Sequence, residues 1–102
     1  MDLPMENNKH VFFALGLGQK AGKVLSGDFA VTEALKKRKV RLLLVATDAK
    51  ERTKEKLVYL CSENNVRMME MATKQELGQA LGKADRNAVA IVDENFVKMI
   101  LK

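Results

Sequence analysis

Two short stretches of the chain, Leu42 to Ala46 and Ala88 to Val92, are apolar at every position and bounded by polar residues. An uninterrupted run of that length, rich in Leu and Val, suits a strand covered on both faces, so both are expected to be buried central strands. Elsewhere the apolar residues recur every three or four positions: Val31 and Leu35 after Gly27; Leu57, Leu60 and Cys61 after Asp48; Leu77, Ala80 and Leu81 after Thr73; Phe96, Val97, Ile100 and Leu101 after Asp93. That spacing gathers each set on one face of a helix. Val66 to Met71 is a further expected strand, set off from the preceding helix by Asn64-Asn65.

The helix starts carry local signals. In Thr73-Lys74-Gln75-Glu76 the Thr hydroxyl can accept from a first-turn amide while the Glu side chain reaches back to the Thr amide, which is a capping box. Asp48 before Glu51 and Asp93 before Phe96 are expected to cap the third and last helices in a similar way. The segment Val11-Phe12-Phe13-Ala14-Leu15 reads as the buried stripe of a helix begun near Asn7 or Asn8, with a strand as the alternative. As a strand it would make Gly16, Gly18 and Gly22 resemble a dinucleotide-binding loop. The spacing does not fit that loop: three residues separate the second and third glycines where the fingerprint has two.

Helices alternating with strands of this length predict an α/β fold, specifically a three-layer α/β/α sandwich around a small central mixed sheet of about four strands. At 102 residues the chain has room for one core, so residues 9–102 are expected to form a single domain after a flexible segment, 1–8.

Charge then narrows the partner. The net charge is +5 and the pI near 9.5, which favours an anionic partner because a basic surface steers polyanions. The longest uncharged apolar stretch, Val11 to Gln19, falls far short of the roughly 20 residues that cross a bilayer, so no membrane span is expected. Asp2 and Glu6 near the start, with no early basic cluster, do not read as a secretory signal. A solitary cysteine, Cys61, forms no internal disulfide, and together these features predict a cytoplasmic protein.

Catalytic chemistry is poorly supplied. His10 is the sole histidine and lies near the N-terminus, Cys61 sits on the apolar stripe of its helix, and the two cannot make a typical zinc site. The carboxylates fall beside lysines and arginines or in first helical turns, where solvation and capping account for them. No enzyme activity, catalytic residue, cofactor or metal is expected.

Two features point to nucleic acid. Lys36, Lys37, Arg38, Lys39 and Arg41 crowd the end of the second helix and its exit, with Lys20 and Lys23 just upstream of that helix. They form either a phosphate-binding edge or a complement to the helix dipole, the latter worth about 0.3 to 1 kcal/mol per cation. At the other end of the same helix stands Ser26-Gly27-Asp28. A glycine there lets phosphate or an electron-rich base edge approach the unpaired first-turn amides, although Ser26 also suits an ordinary N-cap.

Taken in order, these elements resemble the ribosomal-protein superfamily whose archaeal and eukaryotic members bind kink-turn RNA, and in particular its short bacterial YlxQ-type branch. The resemblance rests on Gly16-Leu17 followed by Lys20-Ala21-Gly22-Lys23-Val24; Gly27 with Val31, Ala34 and Leu35; Val40 to Ala46 with Asp48; Leu60-Cys61 with Asn65-Val66; and Lys74 with Leu77-Gly78-Gln79-Ala80-Leu81-Gly82. It implies the same α/β/α sandwich and an RNA-binding function. In that family the start of the second helix enters the groove beside tandem sheared G·A pairs, and a loop before the final strand covers the bulged nucleotides. By position these are Gly27-Asp28-Phe29-Ala30, continued by Glu33 and Lys37, and Lys83-Ala84-Asp85-Arg86-Asn87. The chain departs from the family at the base-contacting Asn and Glu, replaced by Phe29 and Ala30, and at Glu33, where the family carries a lysine.

The expected RNA-binding set is therefore Lys20, Lys23, Ser26, Gly27, Asp28, Phe29, Glu33, Lys36, Lys37, Lys83 and Arg86. The expected partner is a structured, kink-turn-like RNA, in ribosomal RNA or an mRNA leader, met by a monomer. The alternative is a protein-interaction adaptor that kept the fold and lost specific RNA contacts.

Overall fold

Leu42 to Val45 and Ala88 to Ile91 are buried at every position and pair with each other antiparallel at the centre of a four-stranded sheet. The computed structural model describes residues 8–102, so the expected flexible segment lies, except for Asn8, outside the described residues. The elements in chain order are α1 (Lys9–Lys20), β1 (Val24–Ser26), α2 (Asp28–Lys36), β2 (Leu42–Val45), α3 (Glu51–Glu63), β3 (Met68–Glu70), α4 (Lys74–Leu81), β4 (Ala88–Ile91) and α5 (Glu94–Leu101).

The strand order is β1-β4-β2-β3, with β1 and β2 antiparallel to β4 and β3 parallel to β2. Helices α1, α4 and α5 pack together in one layer and α2 with α3 in another, giving the α/β/α sandwich. One contiguous core runs through the sheet, with Leu15, Leu35, Leu77 and, apart from Ala88, the central strands fully inaccessible.

The first segment is a helix. Gly16 and Gly18 lie inside α1, which removes any dinucleotide loop there. Gly18 is buried against Val24, and a Cβ at that position would collide with the Val24 side chain. Strand β1 has no counterpart among the segments expected from periodicity: three residues are too few to display an alternation. The Thr73–Glu76 capping box is present in both directions, at 3.1 Å and 2.9 Å. Asp93 accepts from the Asn95 and Phe96 amides.

Two local expectations are corrected. The residue preceding α3 is Lys50, and no side chain caps that helix; Asp48 instead accepts from the Lys74 amide at 2.8 Å, supporting the start of α4. Ser26 is not the cap of α2. It ends β1, and Gly27 occupies the N-cap position without a side-chain bond.

Candidate functional site

The sheet topology decides what meets at the start of α2. Ser26, at the end of β1, pairs with Val89 near the beginning of β4. Val45, ending β2, pairs with Ala88, and the Ala46 amide donates to the Asn87 carbonyl at 2.8 Å. The 83–87 loop, the start of α2 and the exit of β2 therefore share one end of the sheet.

Gly27 has φ +94° and ψ 142°, a conformation that side-chain-bearing residues avoid. A Cβ there would meet nothing within 4 Å, so the space in front of it is open. The amides of the first turn of α2 have no side-chain cap and face that space with the positive end of the helix dipole. Asp28 and Phe29 are exposed beside it. Phe29 is 80% exposed, more than any other large apolar side chain among the described residues.

The loop is fastened to this opening by Arg86. Its Nε donates to the Ser26 Oγ at 3.0 Å, its Nη1 donates to the Ala84 and Asp85 carbonyls, and its amide donates to the Lys74 carbonyl at 3.1 Å. Gly78 of α4 lies against the same loop so closely that a Cβ would strike the Ala84 carbonyl. The loop is thus held from two sides, while Lys83 and Asp85 remain exposed.

The expected site residues divide into two groups. Ser26, Gly27, Asp28, Phe29 and Arg86 meet at the opening, although sixty positions separate Ser26 from Arg86, while Lys83 begins the loop beside α4, where its amide donates to the Gly78 carbonyl. Lys36 and Lys37 do not join them: α2 has nine residues, which at 1.5 Å each places them about 13 Å further along. Lys20 and Lys23 precede β1 and likewise lie at the opposite end of the sheet, where the Lys23 carbonyl accepts from Val92. Glu33 is half-exposed one turn before Lys37, between the two ends.

The candidate reactive groups have structural roles. Cys61 is buried, and burial pushes its thiol up to about 11, which keeps it protonated and unreactive at neutral pH. In its Nε2–H tautomer His10 donates to the Ile100 carbonyl at 3.2 Å, joining α1 to α5. Among the described residues no group of three or more His, Cys, Asp or Glu is placed to hold a metal ion, and no helix is long and apolar enough to cross a membrane.

A small α/β/α sandwich with an amide-lined opening between a helix start and a loop is the class that these features define. The chain belongs to the ribosomal protein L7Ae/L30e/S12e/Gadd45 family, whose pattern matches residues 9–101. It is 30% identical over 90 residues to the RNA-binding protein YlxQ of Bacillus subtilis, covering 88% of this chain and 90% of that one. It is 32% identical over 92 residues to the RNA-binding protein YlxQ of Enterococcus faecium, with 90% and 88% covered. This places it in the YlxQ-type branch.

Among solved structures, a Bacillus halodurans protein of unknown function superposes with a TM-score of 0.81 at 27% identity, covering 93% of this chain and 99% of that one. The Giardia lamblia 15.5kD RNA binding protein superposes with a TM-score of 0.77, covering 97% and 85%. At 16% identity the latter likeness concerns the fold alone.

Proposed function

We propose that this protein is a non-catalytic RNA-binding protein that recognises a kink-turn or related bent RNA at the α2 opening. The observation that carries this reading is the open, uncapped start of α2 at Gly27, joined by Arg86 to the 83–87 loop. Two YlxQ relatives of almost the same extent are RNA-binding proteins, which supports the class of partner. First-turn amides and Asp28 face the base edges of a widened groove, the loop covers unpaired nucleotides beside it, and Lys83 with Arg86 hold backbone phosphates. The RNA is a folded element of ribosomal RNA or an mRNA leader, bound by a cytoplasmic monomer.

The direct test is a titration of a hairpin carrying a bulge followed by tandem G·A pairs, against the same hairpin with Watson–Crick pairs at those positions, at two salt concentrations. Preference for the G·A hairpin that persists at the higher salt is expected. Equal, strongly salt-dependent binding to both would defeat the groove assignment. The exposure of Phe29, at a position where the family reads a base edge with a polar side chain, favours a second reading, a protein-interaction adaptor. That reading predicts no preference in the same titration.

A further inference from the structure

The topology places eight cations at the end of the sheet opposite the α2 opening. Lys20 ends α1, and the Lys23 amide returns to the Gly18 carbonyl at 2.8 Å. Lys36 and Lys37 end α2, and the Arg38 and Lys39 amides fold back onto the Leu35 and Ala34 carbonyls. The Arg41 amide donates to the Ile91 carbonyl at 2.8 Å, and the Arg67 carbonyl accepts from the Leu43 amide at 2.9 Å. All eight side chains are exposed. Among the described residues the one ion pair is Lys54–Glu70, which lies elsewhere.

The balance of charge at this pole is one-sided. Three carboxylates share it: Glu63 at the end of α3, and Asp93 with Glu94 at the start of α5. Eight cations against three carboxylates leave this pole with a charge of +5, while the other described residues carry ten Lys and Arg against eight Asp and Glu. Helix dipoles account for Lys20, Lys36 and Lys37, which lie in or just after a last helical turn. They do not account for Lys23, Arg41 and Arg67, which stand at the entries of β1, β2 and β3.

We infer that this pole is a second binding site, taking the phosphate backbone of RNA without regard to sequence. The chemistry fits a backbone: the group consists of long, flexible cations, and Phe96, the aromatic side chain in the first turn of α5 at this pole, is packed against the core instead of presented as a stacking platform. About 13 Å of α2 separates it from the Gly27 opening, more than the screening length of about 8 Å at physiological salt. The pole therefore contributes little to the field at the opening and acts as a separate contact. It goes beyond the function proposed above, since it would hold plain duplex flanking a bent element, or a second RNA.

The test uses a plain RNA duplex without bulge or G·A pairs, and four exposed positions changed together: Lys23→Gln, Lys37→Gln, Lys39→Gln and Arg41→Gln. Duplex affinity is expected to fall more than about tenfold at 0.1 M salt, and the slope of log K against log salt to shrink by about 3. A control with the same charge change placed elsewhere, Lys9→Gln, Lys56→Gln, Lys98→Gln and Lys102→Gln, should keep most of the slope. Exchanging lysine and arginine at the four pole positions should restore binding, which a folding defect would not explain. Unchanged duplex affinity and slope in the pole variant, or equal losses in the control, would overturn the inference. If the native protein fails to distinguish bent from plain RNA, the α2 reading falls and the pole is unaffected.

Discussion

The Nε of Arg86 lies 3.0 Å from the Oγ of Ser26, across sixty residues of chain. One guanidinium thereby ties the last residue of β1 to the loop that precedes β4, and it also donates to two carbonyls of its own loop. Removing either partner should loosen the loop against the helix start. A double-mutant cycle of Arg86→Ala and Ser26→Ala, followed by urea unfolding, is expected to give a coupling of about 0.5 to 1.5 kcal/mol. Strict additivity would mean that the bond contributes nothing to holding the site together.

Gly27 and Gly78 are required for opposite reasons, and alanine separates them. At Gly27 there is space for a Cβ but φ is +94°, so the cost is conformational, about 1 to 3 kcal/mol. At Gly78 the Cβ would enter the Ala84 carbonyl, so the cost is steric, about 1 to 3 kcal/mol with displacement of the loop. Because the opposing atoms at Gly78 are backbone, Ala84→Gly should not rescue Gly78→Ala. Recovery of the urea midpoint in that double variant would show that the loop is held by its side chain instead.

What the sequence disclosed follows the range of each signal. The central strands were legible because burial on both faces leaves an unbroken apolar run, and the Thr73 capping box because both its bonds span three residues. Asp48 misled because its partner amide is Lys74, 26 residues away, and a short acidic side chain before a helix gives no sign of that. Lys36 and Lys37 stand where the sequence put them, at the far end of the helix that Gly27 begins, so one opening does not hold the whole expected set. The convergence of Ser26 with Arg86 depends on β1 lying beside β4, and β1 is too short to announce itself.

The Asp48 contact supports its own prediction. Its carboxylate accepts from the first helical amide of α4, adding to the Thr73 cap. Asp48→Ala should cost about 0.5 to 2 kcal/mol, in the range of a lost cap. Hydrogen exchange should accelerate at the first-turn amides of α4 rather than at those of α3. Faster exchange at Glu51 and its neighbours alone would restore the assignment of Asp48 to α3.

Cys61 makes stability fall in alkali. Its thiol is raised from 9.0 to about 11 by burial, so between those values the unfolded chain releases a proton that the native state keeps. The unfolded state then binds fewer protons, and stability declines as pH rises through this window, while below 9.0 the effect is absent. The measurable quantity is the difference between the native protein and Cys61→Ala in urea midpoint from pH 8 to 11. Parallel curves for the two proteins would show that the thiol titrates alike in both states.

Phe29 offers the sharpest separation between RNA binding and an adaptor role. The ring is 80% exposed, so its removal should change folding stability by less than about 0.5 kcal/mol. At the α2 opening, however, an exposed ring is a platform for an unpaired base, and such stacking contributes about 1 to 3 kcal/mol per base. Phe29→Ala should therefore weaken binding to the bulged hairpin about 5- to 150-fold. Phe29→Leu, which keeps the apolar bulk without the ring, should not recover it. The chain contains no tryptophan, so Phe29→Trp adds a single indole whose emission should be quenched as the hairpin binds. Full RNA affinity in Phe29→Ala, with no quenching in Phe29→Trp, would turn this ring away from RNA and leave it for a protein partner.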